Sequence, residues 1–100
     1  MRLPRCLLSS VCAWLVLPLH AADLLLYTEE NPPLNYSQDG QPAGFVVEMV
    51  QALLARSGDS ARIELAPWTR GYAQAKSQAN VGLFATARGA AREALFQWVG

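Results

Sequence analysis

Three short apolar runs, Leu24–Thr28, Ala61–Leu65 and Val81–Ala85, are each separated from the next by a stretch with helical spacing. This alternation constrains the fold more than any other feature of the chain. Runs of about five residues suit buried strands, and the segments between them suit crossover helices. Strand, helix, strand, helix, strand with short connections gives a parallel sheet with right-handed crossovers. The fold class expected is therefore α/β.

The clearest helix spans Phe45 to Arg56, where Val46, Val47, Met49, Val50, Leu53 and Leu54 recur at spacings of three and four. Gly44 stands at its start, and Ser57-Gly58 is a stop signal. Its Val46, Val50 and Leu53 face is expected on the sheet. A weaker helix runs from about Arg70 to Gln78, with Thr69 as its candidate cap and Tyr72, Ala73 and Ala75 on one side. Pro32-Pro33 fixes an extended loop after the first strand. Leu34-Asn35-Tyr36 reads as a brief extended piece. Ser37 to Pro42 is turn chemistry centred on Asp39-Gly40. After the third strand, a short helical pattern carries Arg92 and Glu93, and the alternation of Phe96, Trp98 and Val99 predicts one more short strand. The Leu24–Thr28 strand is expected between the other two of the main sheet.

The first 22 residues are read as a processing segment and not as fold. Met1 to Arg5 is basic, Cys6 to Leu19 is mostly apolar, and His20-Ala21-Ala22 ends in small residues. That order is a secretory signal peptide. The apolar part is short for a membrane span, which needs about 20 residues. Residues 1–22 are thus expected to be removed on export, and the remainder to be periplasmic. An uncleaved anchor is the alternative. Both cysteines, Cys6 and Cys12, fall inside this segment, so no disulfide is expected in the rest.

Without Arg2 and Arg5, six basic residues face eight acidic ones, a net charge of −2. No basic stripe of the kind nucleic acids require is present, so no nucleic-acid partner is expected. Beyond residue 22 there is no histidine to activate a serine nucleophile, no Cys/His cluster for a metal and no glycine-rich phosphate loop. No metal and no cofactor is expected.

In open parallel sheets, ligands collect beyond the carboxyl ends of the strands. Three loops belong there: Glu29 to Tyr36, Ala66 to Arg70, and Thr86 to Arg92. They bring Glu29, Glu30, Tyr36, Trp68, Arg70, Arg88 and Arg92 toward one cleft. Aromatics and arginines around a cleft suit a small organic anion or zwitterion. A strand delivering two arginines to a helix start suits an anion further: the helix end offers unpaired N–H groups, and guanidinium grips carboxylate by two parallel bonds. Each residue also has a plainer role open to it. Arg92 can pair with Glu93 or Glu64, Arg88 can be solvated, and Glu30 and Arg70 can pair with each other. Trp68 and Tyr36 can simply pack.

The residues Thr28-Glu29-Glu30-Asn31-Pro32-Pro33, Gly44-Phe45, Pro67-Trp68-Thr69-Arg70 and Arg88-Gly89-Ala90-Ala91-Arg92-Glu93, followed by Phe96 and Trp98, resemble those of bacterial family 3 extracellular solute-binding proteins. These are the periplasmic receptors of polar amino acid ABC transporters. The resemblance runs from Asp23 to Gly100. It implies a type II periplasmic-binding-protein fold, with a parallel sheet and helices on both faces, of which residues 23–100 would be a truncated part of the first lobe. It implies that Arg92 grips the α-carboxylate of the ligand, helped by backbone N–H groups from Ala85 to Ala87, and that Trp68 covers the ligand side chain. Arg88, Glu30, Arg70 and Tyr36 complete the expected ligand-binding set. Gly89 stands where threonine is usual in that family, and Ala85 and Ala87 replace hydroxyl residues. The partners implied are an amino acid-like solute and an ABC permease in the inner membrane, with no catalysis. The alternatives are the sensing module of a membrane receptor, or a periplasmic dehydratase or lytic transglycosylase of the same fold, with Glu29 or Glu30 as the acid.

Overall fold

The computed structural model describes residues 23–99. The expected signal segment, residues 1–22, lies outside the described residues, as does Gly100. The elements in chain order are β1 (Leu24–Thr28), β2 (Tyr36–Gln38), β3 (Gln41–Ala43), α1 (Phe45–Ser57), β4 (Ala61–Leu65), α2 (Trp68–Ser77) and β5 (Val81–Leu83).

The main sheet is parallel, as the alternation predicts, and its order is β4-β1-β5, so the first strand is central as expected. Leu24 to Thr28 pair in step with Ala61 to Leu65, and Leu25 to Tyr27 pair with Val81 to Leu83. The central strand carries the deepest residues of the sheet, Tyr27 and Thr28. β5 is shorter than its apolar run. After Leu83 the chain makes one further sheet-like bond, from Phe84 N–H to the Tyr27 carbonyl (3.0 Å). Ala85 then turns away with φ 58°.

The segment before α1 is more ordered than turn chemistry alone suggested. β2 and β3 form an antiparallel hairpin. Its two-residue turn is Asp39-Gly40, with φ 52° and 77°, the double positive φ of a type I′ turn. The hairpin's existence needed its partner strand, which at three residues has no periodicity to detect.

Helix α1 ends as the sequence predicts, with Gly58 left-handed (φ 80°) and its N–H on the Leu54 carbonyl. Its buried side differs from the expected one. Val47 is fully buried, and Val46, Val50 and Leu54 are half-buried, whereas Leu53 is 64% exposed. The helix is apolar on adjoining faces, so periodicity alone could not rank them.

Helix α2 begins at Trp68, before the expected Arg70. Pro67 sits at the cap position, and no side chain, Thr69 included, caps the helix. Proline pre-sets the extended backbone there and lacks an N–H that would need a partner. α2 packs on β1 and β5. Gly71, buried on that side, allows the close approach: a Cβ there would stand 3.0 Å from the Tyr27 Cβ.

Beyond Ala85 the expected helix and final strand do not form. The backbone from Ala90 to Leu95 makes two successive turns, Arg92 N–H to the Gly89 carbonyl (2.9 Å) and Leu95 N–H to the Arg92 carbonyl (3.0 Å). Phe96, Trp98 and Val99 join no sheet.

Candidate ligand site

The parallel order places the ends of β1, β4 and β5 on one edge, and the loops after them share it. Trp68 opens α2 just past β4, and Tyr72 stands one turn further along the same face, four residues on. Their ring centroids are 5.4 Å apart, tilted by 37°. The segment after β5 lays Phe96 edge-on against Tyr72 (5.5 Å), and Trp98 edge-on against Phe96 (5.8 Å). Trp68, Tyr72, Phe96 and Trp98 thus form one continuous aromatic row joining α2 to the irregular segment. Edge-to-face contacts of this kind add about 0.5–1.5 kcal/mol each beyond burial. This interlock, and not strand pairing, is what the apolar alternation of Phe96 and Trp98 serves.

Both arginines of that segment sit on the row. Arg92 places its guanidinium carbon 5.0 Å from the Trp68 centroid and 5.5 Å from that of Tyr72. Its Nη1 donates to the Ala87 carbonyl at 3.1 Å. Arg88 lies 5.1 Å from the Trp98 centroid and holds Glu93 by two bonds, Nε to Oε2 at 2.8 Å and Nη2 to Oε1 at 2.6 Å. Trp98 Nε1 donates to the Glu93 carbonyl at 3.1 Å. The pairing holds the Glu93 carboxyl below the ordinary carboxylate value and lifts the Arg88 guanidinium above its own.

The two arginines therefore differ chemically. Arg88 spends its fork on Glu93. Arg92 pairs with neither Glu93 nor Glu64, the two partners open to it from the sequence. Glu64 is instead taken by Arg70 (3.2 Å) and, more loosely, by Arg62 (3.7 Å). Among the described residues, Ala87 supplies the one acceptor to the Arg92 fork. The backbone N–H groups of Ala85, Thr86 and Ala87 donate to no acceptor among the described residues. The positive φ of Ala85 sets this loop's course, and Thr28 Oγ1, donating to the Phe84 carbonyl at 3.2 Å, ties its root to the sheet.

The remaining expected residues are placed elsewhere. Arg70 faces Glu64 and the Tyr27 ring (5.8 Å), so it does not pair with Glu30. Glu30 caps its own loop, accepting from the Ser37 N–H at 2.9 and 3.2 Å. Tyr36 pairs with Ala43 in the hairpin. No hydrogen bond, ion pair or ring contact joins Glu30, Tyr36 or Arg70 to Arg92 or Trp68. The structure therefore brings together Arg92, Trp68 and Ala87, with Arg88 further along the row. Sequence reading missed Tyr72 and Phe96 as site residues; the i, i+4 spacing of Trp68 and Tyr72 was the available signal. It also missed Thr86, whose buried Oγ1 has no partner among the described residues. Asn35, fully buried, fixes the loop after β1 by donating from Nδ2 to the Glu29 carbonyl, while its Oδ1 has no partner among the described residues. An open depression lined by Asp23, Leu25, Ser60 and Arg62 lies at the opposite, amino end of the strands, away from these groups. Among the described residues there is no group of three His, Cys, Asp or Glu side chains able to hold a metal, and no helix is long and apolar enough to cross a membrane.

This α/β arrangement, a three-stranded parallel sheet with its first strand central, matches the periplasmic-binding-protein fold. A solved structure similar to it is the L-cystine solute receptor of Neisseria gonorrhoeae in its unliganded open conformation. The likeness has a TM-score of 0.59 at 22% sequence identity, and it covers 72% of this chain and 32% of the receptor's. The chain thus spans about a third of the length of that receptor. No protein-family model matches the chain, and no curated protein matches it either.

Proposed function

We propose that this chain carries part of the ligand site of a periplasmic solute receptor for a small carboxylate, in the first place a polar amino acid. The receptor holds its ligand without catalysis and passes it to an ABC permease of the inner membrane. The observation that carries this reading is the state of Arg92. Its guanidinium rests on two aromatic faces, with one bond to Ala87, beside a loop whose N–H groups at Ala85 to Ala87 donate to no acceptor among the described residues. Such an arrangement can take a carboxylate on the guanidinium fork and share its charge with backbone donors. The fold's likeness to a receptor whose ligand is L-cystine, itself an amino acid, supports the reading. Residues 1–22 serve in it as the export signal.

Calorimetry of the full-length receptor that carries this segment, against a panel of amino acids, L-cystine among them, tests it. Charge-assisted hydrogen bonds contribute roughly 1.5–3 kcal/mol each. Arg92→Ala should therefore weaken binding by about tenfold or more, and Arg92→Lys should recover only part, because the fork is lost. Wild-type protein that binds no carboxylate, or an Arg92→Ala variant that binds as tightly as wild type, would refute the reading. A mass measurement of the periplasmic product checks the export signal; a retained Met1 counts against it.

A further inference from the structure

The geometry points to Tyr72 as the positioning residue of this site, acting with Trp68 as a two-ring shelf that sets the plane of the Arg92 guanidinium. The inference rests on the receptor reading for its functional consequence, but not for its geometry. Arginine is long and flexible, and on an irregular loop it would ordinarily sample many rotamers. Here three contacts restrict it: the Trp68 ring at 5.0 Å, the Tyr72 ring at 5.5 Å and the Ala87 carbonyl at 3.1 Å from Nη1. Two faces and one edge define a plane. The rest of the fork is then held in one direction before any ligand arrives.

Tyr72 is the central member of this device. The aromatic row passes from the helix to the irregular segment through its ring, since Trp68 touches it on one side and Phe96 on the other. It also carries a second cation, with Lys76 Nζ 5.0 Å from its ring centroid. Lys76 and Arg92 thus place two positive charges around one ring, which raises the local attraction for an anion. The phenol oxygen of Tyr72 takes part in no hydrogen bond among the described residues, so the ring and not the hydroxyl does the work. The same geometry adds to the role expected of Trp68. Its ring has the arginine against it, so beside the covering role expected of it Trp68 also acts on a ligand through Arg92.

The test compares Tyr72→Phe and Tyr72→Trp, which keep a π face, with Tyr72→Leu, which does not. The first readout needs no ligand: the Arg92 side-chain resonances in the NMR spectrum of the protein. In wild type, Tyr72→Phe and Tyr72→Trp they should be displaced upfield by ring currents. In Tyr72→Leu they should move toward the values of a solvated arginine. The second readout is carboxylate affinity, which should fall roughly fivefold in Tyr72→Leu and stay within about twofold of wild type in Tyr72→Phe, given the usual strength of a cation–π contact. Unshifted Arg92 resonances in wild type would overturn the inference without any variant, which covers the case of Tyr72→Leu failing to fold. Equal affinity losses in Tyr72→Phe and Tyr72→Leu would overturn it too, since that would assign the effect to the hydroxyl. If the resonances behave as expected but wild type binds no carboxylate, the shelf stands and the receptor reading falls.

Discussion

Gly71 and Tyr27 meet so closely that a methyl group on Gly71 would lie 3.0 Å from the Tyr27 Cβ, with Leu83 Cδ2 at 3.2 Å. Tyr27 is 2% exposed and sits in the central strand, so it has little room to give. This contact fixes how near α2 lies to the sheet, and hence where Trp68 and Tyr72 stand. Alanine is the better helix former by roughly 1 kcal/mol. Gly71→Ala should nevertheless destabilise the protein, because forcing a methyl into a packed core costs about 1–3 kcal/mol. Denaturant melts should give a net loss, and the carboxylate affinity should fall with it. A stabilised Gly71→Ala would show that α2 is not seated as described.

Gly44 presents a harder limit. Its φ is 109°, and a Cβ there would collide with the Leu34 carbonyl oxygen. That carbonyl also accepts from Val46 N–H at 3.0 Å, tying the loop after β1 to the start of α1. Gly44→Ala should cost about 2 kcal/mol or more, through strain at a conformation that side chains rarely adopt together with the displaced bond. Urea unfolding measures it; a loss below about 0.5 kcal/mol would contradict the geometry.

The segment from Arg88 to Trp98 should loosen in acid. Glu93 has its carboxyl held below the ordinary value by Arg88. A group with a depressed native pKa contributes its stability above the unfolded value, about 4.3, and loses it as pH falls through the lowered native value. The pair is exposed, so salt should weaken it as well. Because Arg88 lies on the Trp98 ring and Trp98 binds the Glu93 carbonyl, tryptophan fluorescence should report the change. Glu93→Gln should remove the acid step. An acid transition of the same size in Glu93→Gln would assign it to another group.

The two sides of α1 should respond differently. Val47 is fully buried, and Leu53 is 64% exposed. Val47→Ala should cost about 2 kcal/mol, in the range for burying a valine side chain. Leu53→Ala should cost far less, despite removing more carbon. Chemical denaturation of both variants decides the matter, and equal losses would mean that Leu53 is covered.

The sequence by itself determined the main sheet. The three apolar runs and the helical periodicity between them require βαβ crossovers and hence a parallel sheet; that β1 is its central strand is decided by packing, since right-handed crossovers also allow β1 at an edge. It also determined local chain reversals, since Asp39-Gly40 and Gly58 adopt backbone conformations that few other residues adopt readily. The tertiary structure decided what local pattern could not express. Which apolar face of α1 is buried depends on what it packs against, and both of its faces read alike. Phe96 and Trp98 alternate as a strand would, but the aromatic row offered by Trp68 and Tyr72 gives them partners outside any sheet. The partner of each arginine was equally hidden. Glu93 is next to Arg92 in sequence, yet Arg88 takes it, because the turns from Gly89 to Leu95 fold Arg88 back onto Glu93 and lay Arg92 on α2. Contacts between segments distant in sequence are set by the whole packed arrangement, and for that reason the candidate site could be named in part from the sequence but its geometry could not.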